Sequence, residues 1–309
     1  MPRPHDAMPY QRIKRPMNQH PPYSVALHIG AHKTATTHLQ RSFTMQQNAL
    51  INAGVRYYGP ESLRRPERSI ADVFGLEVSK RPPRPTRSRQ DQFAFMVKDG
   101  HRLVLSDENF IGVMHNKKGA MLSPLYPHAQ KRVAALVDAV APHPVDVFLS
   151  IRNPATFLTS AYGQALMGGL PMSFEEYIAK NPLDLIDWAG LVARLRAIPN
   201  LGEIVVWRFE EYRWRFYKAT AAMMGPDADI RIAPIPNKVH IGLSEAAVDY
   251  ILSQGQADCV DEARARFPVS DANPAFAPFD AAQIGAATEA YDAQIAQIDQ
   301  MGGVTILRA

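Results

Sequence analysis

Residues 25–29 form a short, mostly apolar run that ends in Gly30 and passes through Ala31-His32-Lys33-Thr34-Ala35-Thr36-Thr37 straight into helical periodicity. A strand that turns through a glycine into a helix start aims backbone N–H groups, the positive end of the helix and here a lysine at one point. A phosphate-like anion fits that point. Leu39, Phe43, Leu50 and Ile51 recur near helical spacing, and Gly54 after Ala53 predicts the stop of a single helix.

The spacing within the loop separates two kinds of anion cradle. A Walker-type nucleotide loop has Gly-Lys followed by Ser or Thr, whereas here Lys33 precedes the threonines with no glycine beside it. A second segment, 145–154, reads as a buried strand over Val145–Ile151, then Arg152, Asn153 as an N-cap and Pro154 as the first helical residue. Arg152 at the strand end and Ser160, eight residues later and two turns into the helix, offer a guanidinium fork and a hydroxyl to a second anion.

Taken in this order, the run 30–40 and the pair Arg152 and Ser160 resemble the sulfotransferases that use 3'-phosphoadenosine 5'-phosphosulfate (PAPS). Many members carry a glycine where this chain has Ala35. The resemblance implies a P-loop-like, three-layer α/β fold and sulfuryl transfer from PAPS to a hydroxyl or amine, leaving 3'-phosphoadenosine 5'-phosphate (PAP). It implies that Gly30, His32, Lys33, Thr34, Ala35, Thr36 and Thr37 surround the 5'-phosphosulfate, with Lys33 neutralising charge on the leaving group. Arg152 and Ser160 are expected at the 3'-phosphate, with Tyr162 and Gln164 just beyond them, and Lys238 in a loop closing over it. By the same analogy the acceptor is a sugar hydroxyl on a glycan or glycolipid.

Transfer to a hydroxyl needs a base near the acceptor oxygen. Leu103-Val104-Leu105-Ser106-Asp107-Glu108 places two carboxylates at a strand end, and Ser106-Asp107-Glu108 is similar to a family segment that makes Glu108 the candidate base. Asp107, His32 and His38 are its rivals, and strand alternation points Asp107 to the opposite side from Glu108. The same apolar run ending in Asp-Glu also fits a nucleoside-triphosphate kinase or ATPase with Asp107 on Mg²⁺. A non-catalytic nucleotide-binding protein is the third reading.

Runs at 25–29, Val55–Tyr58, 103–105, Val145–Ile151 and 204–207 alternate with helical stretches such as 128–141, which predicts a mostly parallel sheet covered on both faces. Ligands of such sheets bind beyond the strands' C-terminal ends, where Lys33, Asp107, Glu108 and Arg152 all fall. The part after Pro236 reads as mainly helical, with helices at 243–254 and 281–301. The strand 204–207 runs into Arg208-Phe209-Glu210-Glu211, read as structural.

At 309 residues the chain has room for one domain over 23–309, preceded by a disordered, basic, Pro-rich tail over 1–22. Residues 61–91, with Lys80-Arg81-Pro82-Pro83-Arg84-Pro85, read as a solvated loop insertion or a lid. No run of about 18 apolar residues marks a membrane span, and the tail lacks the apolar core of a signal peptide, so a cytoplasmic location is expected. The single cysteine, Cys259, excludes an intrachain disulfide, and no metal site is expected. A net charge of +4 suits a polyanionic small-molecule ligand, and no nucleic-acid reader motif is present.

Overall fold

The computed structural model describes residues 23–65, 69–77, 85–236, 242–255 and 259–308. The tail over 1–22 and Lys238 lie outside the described residues.

The elements alternate along the chain. β1 (Ser24–His28) leads into α1 (Thr36–Met45) and α2 (Gln47–Asn52), and β2 (Val55–Tyr58) into α3 (Pro60–Leu63), α4 (Ile70–Phe74) and α5 (Arg89–Val97). β3 (Arg102–Ser106) precedes α6 (Ala129–Ala139), and β4 (Val145–Ile151) precedes α7 (Pro154–Met167), α8 (Phe174–Lys180) and α9 (Trp188–Arg196). β5 (Leu201–Arg208) is followed by α10 (Tyr212–Met224), α11 (Glu245–Gln254), α12 (Val260–Arg266), α13 (Ala281–Asp299) and β6 (Val304–Ile306).

The six strands form one sheet in the order β2-β3-β1-β4-β5-β6, and every pairing is parallel. Alternate residues of each strand feed two separate cores. Val25, Leu27, Leu103, Leu105, Val147 and Leu149 pack on the face covered by α6, α7 and α9, while Ala26, Val104, Phe148 and Val205 pack with Leu39 and Phe43 of α1 and Phe216 and Met223 of α10. This two-sided burial is why the strands read as nearly continuous apolar runs. The connection leaving β1 runs toward β2 and the one leaving its neighbour β4 runs toward β5 on the other side, so the switch-point crevice opens beyond the C-terminal ends of β1 and β4.

The structure departs from the sequence reading in three places. The single helix expected after the loop breaks at Gln46, whose side-chain amide donates to Ala233 O (2.8 Å) and accepts from Ala233 N (3.0 Å), so the chain turns to serve that contact. Within 61–91 the described residues are partly helical: Ser69 and Ser88 accept hydrogen bonds from Asp72 N and Asp91 N as N-caps, and Leu63, Phe74 and Leu76 are buried. These apolar side chains draw the segment onto the sheet. The C-terminal part contributes β6 as well as helices, because Val304 and Ile306 extend the edge beside β5.

The start of α7 shows how one residue fixes an element. Asn153 Oδ1 accepts from Ala155 N (3.0 Å) and Thr156 N (3.5 Å), Pro154 occupies the first helical position, and Asn153 Nδ2 donates to Thr288 Oγ1 of α13 (3.0 Å). Asn153→Ala is expected to cost about 1–2 kcal/mol and lower the melting temperature by several degrees in a thermal scan. An unchanged transition would show that the cap does not set the helix start.

Candidate functional site

The loop after β1 owes its shape to two residues with positive φ, Lys33 (66°) and Ala35 (63°). Left-handed backbone costs a residue with a Cβ about 1–2 kcal/mol, which gives a physical reason for glycine at the place of Ala35. Gly30 meets a different constraint: a Cβ there would lie 2.5 Å from Thr36 Cγ2 and 3.0 Å from His28 Nε2. Below it, His28 bonds Ser106 Oγ (2.7 Å) and stacks on Trp207, and burial pulls its pKa down to about 4, so it is neutral at ordinary pH.

The turn leaves the amides of Lys33, Thr34, Ala35, Thr36 and Thr37 without a hydrogen-bond acceptor among the described residues. Unpaired donors in a tight turn at a helix N-terminus form an anion nest. Thr34 contributes only its amide, because its hydroxyl donates to Ala31 O (2.6 Å) and braces the turn from inside. Thr36 and Thr37 line a cavity of about 460 Å³ together with His32, Lys33, Arg152 and Ser160.

Arg152 ties the second half of the site to the first. Its Nη1 donates to Lys33 O (2.8 Å), its Nε donates to Thr156 Oγ1 (3.0 Å), and the guanidinium carbon lies 4.3 Å from the centre of the Phe209 ring. The indole of Trp188 donates to Arg152 O (2.8 Å), which fixes the backbone from behind. Burial pulls Arg152 down to about 10, and burial followed by the Arg152 charge pulls Lys33 below the usual lysine range. Neither cation forms an ion pair among the described residues. Two adjacent, half-desolvated cations are thus left facing the cavity.

The carboxylate end differs from expectation. The chain leaves β3 at Ser106 and tightens into a 3₁₀ turn over Glu108–Ile111, so strand alternation no longer applies and Asp107 and Glu108 turn toward the same partner. Arg64 donates to both oxygens of Asp107 (2.7 and 3.0 Å) and to Glu108 Oε1 (2.6 Å), and Gln40 Nε2 donates to Glu108 Oε2 (3.1 Å). Burial works against the charge on Glu108, but Arg64 outweighs it and holds the carboxyl below the usual range. Asp107 also accepts from Asn109 N (2.8 Å), so its oxygens are engaged within the fold.

Both histidine rivals are occupied. His38 Nε2 donates to Ile235 O (3.0 Å) and its Nδ1 accepts from Tyr212 OH (2.8 Å), leaving no open nitrogen. His32 donates its backbone N–H to Tyr126 OH (3.2 Å), which also lies 3.0 Å from its Nδ1, and burial lowers its pKa.

The fold therefore brings His32, Lys33, Ala35, Thr36, Thr37, Glu108, Arg152, Ser160 and Gln164 around one cavity. Tyr162 is not among them, because it is buried and donates its hydroxyl to Met172 O (2.9 Å). A second cavity of about 420 Å³ shares Lys33, Arg152 and Ser160 and is walled by Phe209, Phe276 and Phe279. Sequence reasoning missed Arg64, Gln40 and these aromatics. The Arg208-Phe209-Glu210-Glu211 run was the available signal for Phe209; Glu210 accepts from Asn153 N (2.8 Å) and so holds the turn that presents Phe209 to Arg152.

The left-handed Ala35 gives a direct test of the turn. Ala35→Gly removes about 1–2 kcal/mol of backbone strain against the greater flexibility of glycine in the unfolded chain, for an expected net gain of about 0.5–1 kcal/mol. Denaturant unfolding showing a loss instead would mean that the turn has another geometry.

No protein-family model matches the sequence, and no curated protein matches it. Among solved structures, the chain is similar to a sulfotransferase from Alicyclobacillus acidocaldarius, at 16% identity and a TM-score of 0.43, over 78% of this chain and 92% of that one. It is also similar to a structure of the PezAT chromosomal toxin–antitoxin system of Streptococcus pneumoniae, at 12% identity and a TM-score of 0.23, over 94% and 92% of the two chains.

Proposed function

We propose that the protein transfers a sulfuryl group from PAPS to a hydroxyl or amine acceptor. The observation that carries this reading is a single cavity lined both by Lys33 and residues of the turn with five open amides and by Arg152 and Ser160. Two anion sites on one ligand are what separates PAPS, with its 3'-phosphate, from ATP. The kinase or ATPase reading loses support, since Asp107 is held by Arg64 and by Asn109 N rather than open to Mg²⁺.

In this reading the nest and Lys33 hold the 5'-phosphosulfate, and Arg152 and Ser160 hold the 3'-phosphate. The acceptor oxygen attacks sulfur as the bond from sulfur to the bridging oxygen breaks, Lys33 neutralises charge on the departing phosphate, and Glu108 takes the acceptor's proton. Arg64 keeps Glu108 ionised and oriented while lowering its basicity. A glycan or glycolipid hydroxyl is the first acceptor class to screen, using labelled PAPS against a panel of alcohols and amines.

Calorimetry tests the donor. A charged hydrogen-bonded contact is worth about 1.5–3 kcal/mol, so PAP is expected to bind at least about tenfold tighter than AMP. Arg152→Ala should erase most of that difference and Ser160→Ala part of it. Equal affinities for PAP and AMP in the unaltered protein would overturn the assignment.

Turnover with a validated acceptor tests the chemistry. Lys33→Ala is expected to lower it by roughly 10²–10³ and Glu108→Gln by roughly 10²–10⁴, with PAP binding nearly unchanged in the latter. Arg64 depresses the Glu108 pKa, so Arg64→Gln raises it and shifts the acid limb of the pH–rate profile upward. A limb that stays in place, or an active Glu108→Gln, puts the base elsewhere.

A further inference from the structure

One face of α10 has no role in the core or in the site. Its inner side is spent on the fold: Phe216, Ala219 and Met223 are buried against the sheet, and Tyr212 reaches His38 at the rim of the cavity. The outward side carries Trp214, 71% exposed, and Tyr217, 40% exposed, one helical turn apart. Arg213 and Lys218 are exposed beside them, and the Arg231 guanidinium sits 3.8 Å above the Tyr217 ring.

The cations beside these rings are unpaired among the described residues, while the acids at the start of the helix are engaged. Arg213, Lys218 and Arg231 form no ion pair among the described residues, and Lys218 Nζ donates only to the Arg308 carbonyl (3.1 Å). The nearest carboxylates in the chain are engaged elsewhere: Glu211 pairs with Arg215 (2.8 Å), and Glu210 accepts from Asn153 N and Tyr291 OH. Asp227 and Asp229 lie beyond the C-terminal end of the helix. A single exposed apolar side chain is ordinary on a protein surface. An exposed indole and tyrosine on one helix face, with Arg213, Lys218 and Arg231 beside them unpaired among the described residues, are a different combination, with an apolar body to bury and positive charge to neutralise.

We propose that this face docks on an anionic lipid bilayer, with Trp214 entering the headgroup region and Arg213, Lys218 and Arg231 pairing with lipid phosphates. Indole rings favour that interface, and basic side chains near the surface add to the attraction. None of these side chains lines either cavity described above, and a nucleic-acid strand is tracked by a groove, which favours a lipid surface over a strand of DNA or RNA. Because Tyr212 begins the same helix, docking brings the mouth of the cavity near the bilayer. The inference does not depend on the chemistry proposed for the site.

The fold supplies its own reporter, since Trp188 and Trp207 are buried and Trp214 is the exposed indole. With the full chain, vesicles of phosphatidylglycerol and phosphatidylcholine are expected to sediment the protein and shift its tryptophan emission to the blue, while pure phosphatidylcholine vesicles do neither. About 0.5 M salt should reverse both effects. Arg213→Glu and Lys218→Glu should each weaken vesicle binding by about fivefold or more, and Trp214→Ala should abolish the emission shift with the melting temperature preserved. The proposal is overturned if anionic vesicles do not bind, if binding survives all three substitutions and so belongs to another basic region such as the tail, or if the Trp214 shift appears with RNA and not with vesicles. PAP affinity, measured in the same variants, should remain unchanged.

Discussion

The Arg152 guanidinium holds the site to the sheet. It reaches Lys33 O in the loop after β1, Thr156 in the first turn of α7 and the face of Phe209 after β5, while its own carbonyl accepts from Trp188 at the start of α9. Three segments that are distant in sequence meet the start of α7 on this one residue. Its charge also sets the electrostatics, since Lys33 is forced to share a desolvated pocket with a like charge. Loop geometry and site potential therefore have a common origin at the end of β4.

Much of this was legible in the sequence because it rests on local rules. The strand Val145–Ile151 and the Asn153-Pro154 helix start appear where periodicity and capping put them, and the Gly30 turn with its open amides follows from a glycine between a strand and a helix. The cavity gathers Lys33, Glu108 and Arg152, which pattern alone had placed at one sheet edge, together with Ser160 from the helix that follows. What stayed hidden depends on contacts between distant segments. The break at Gln46 is made by Ala233, and the joint orientation of Asp107 and Glu108 is made by Arg64, which sits in a segment that composition marks as solvated. β6 is three residues long and gains its definition only from the edge of β5.

The central position of β1 explains why the loop tolerates so much local cost. β1 is hydrogen-bonded to β3 on one side and β4 on the other, and Ala31 N continues that ladder to Ser150 O (3.0 Å). The backbone is thus anchored up to the residue before the turn. Two left-handed residues with side chains are held there because the neighbours leave them no alternative.

The same cradle can be viewed as an unfinished piece of folding. The turn over 31–37 gathers a left-handed lysine and alanine and five open amides, and Arg152 from the end of β4 sets a second desolvated cation against Lys33. Among the described residues the five amides find no acceptor and neither cation forms an ion pair. A polyanion bound as proposed would fill the donors and offset the mutual repulsion of Lys33 and Arg152. Such a ligand would then be a missing structural part, and its occupancy would raise the stability of this corner by mass action.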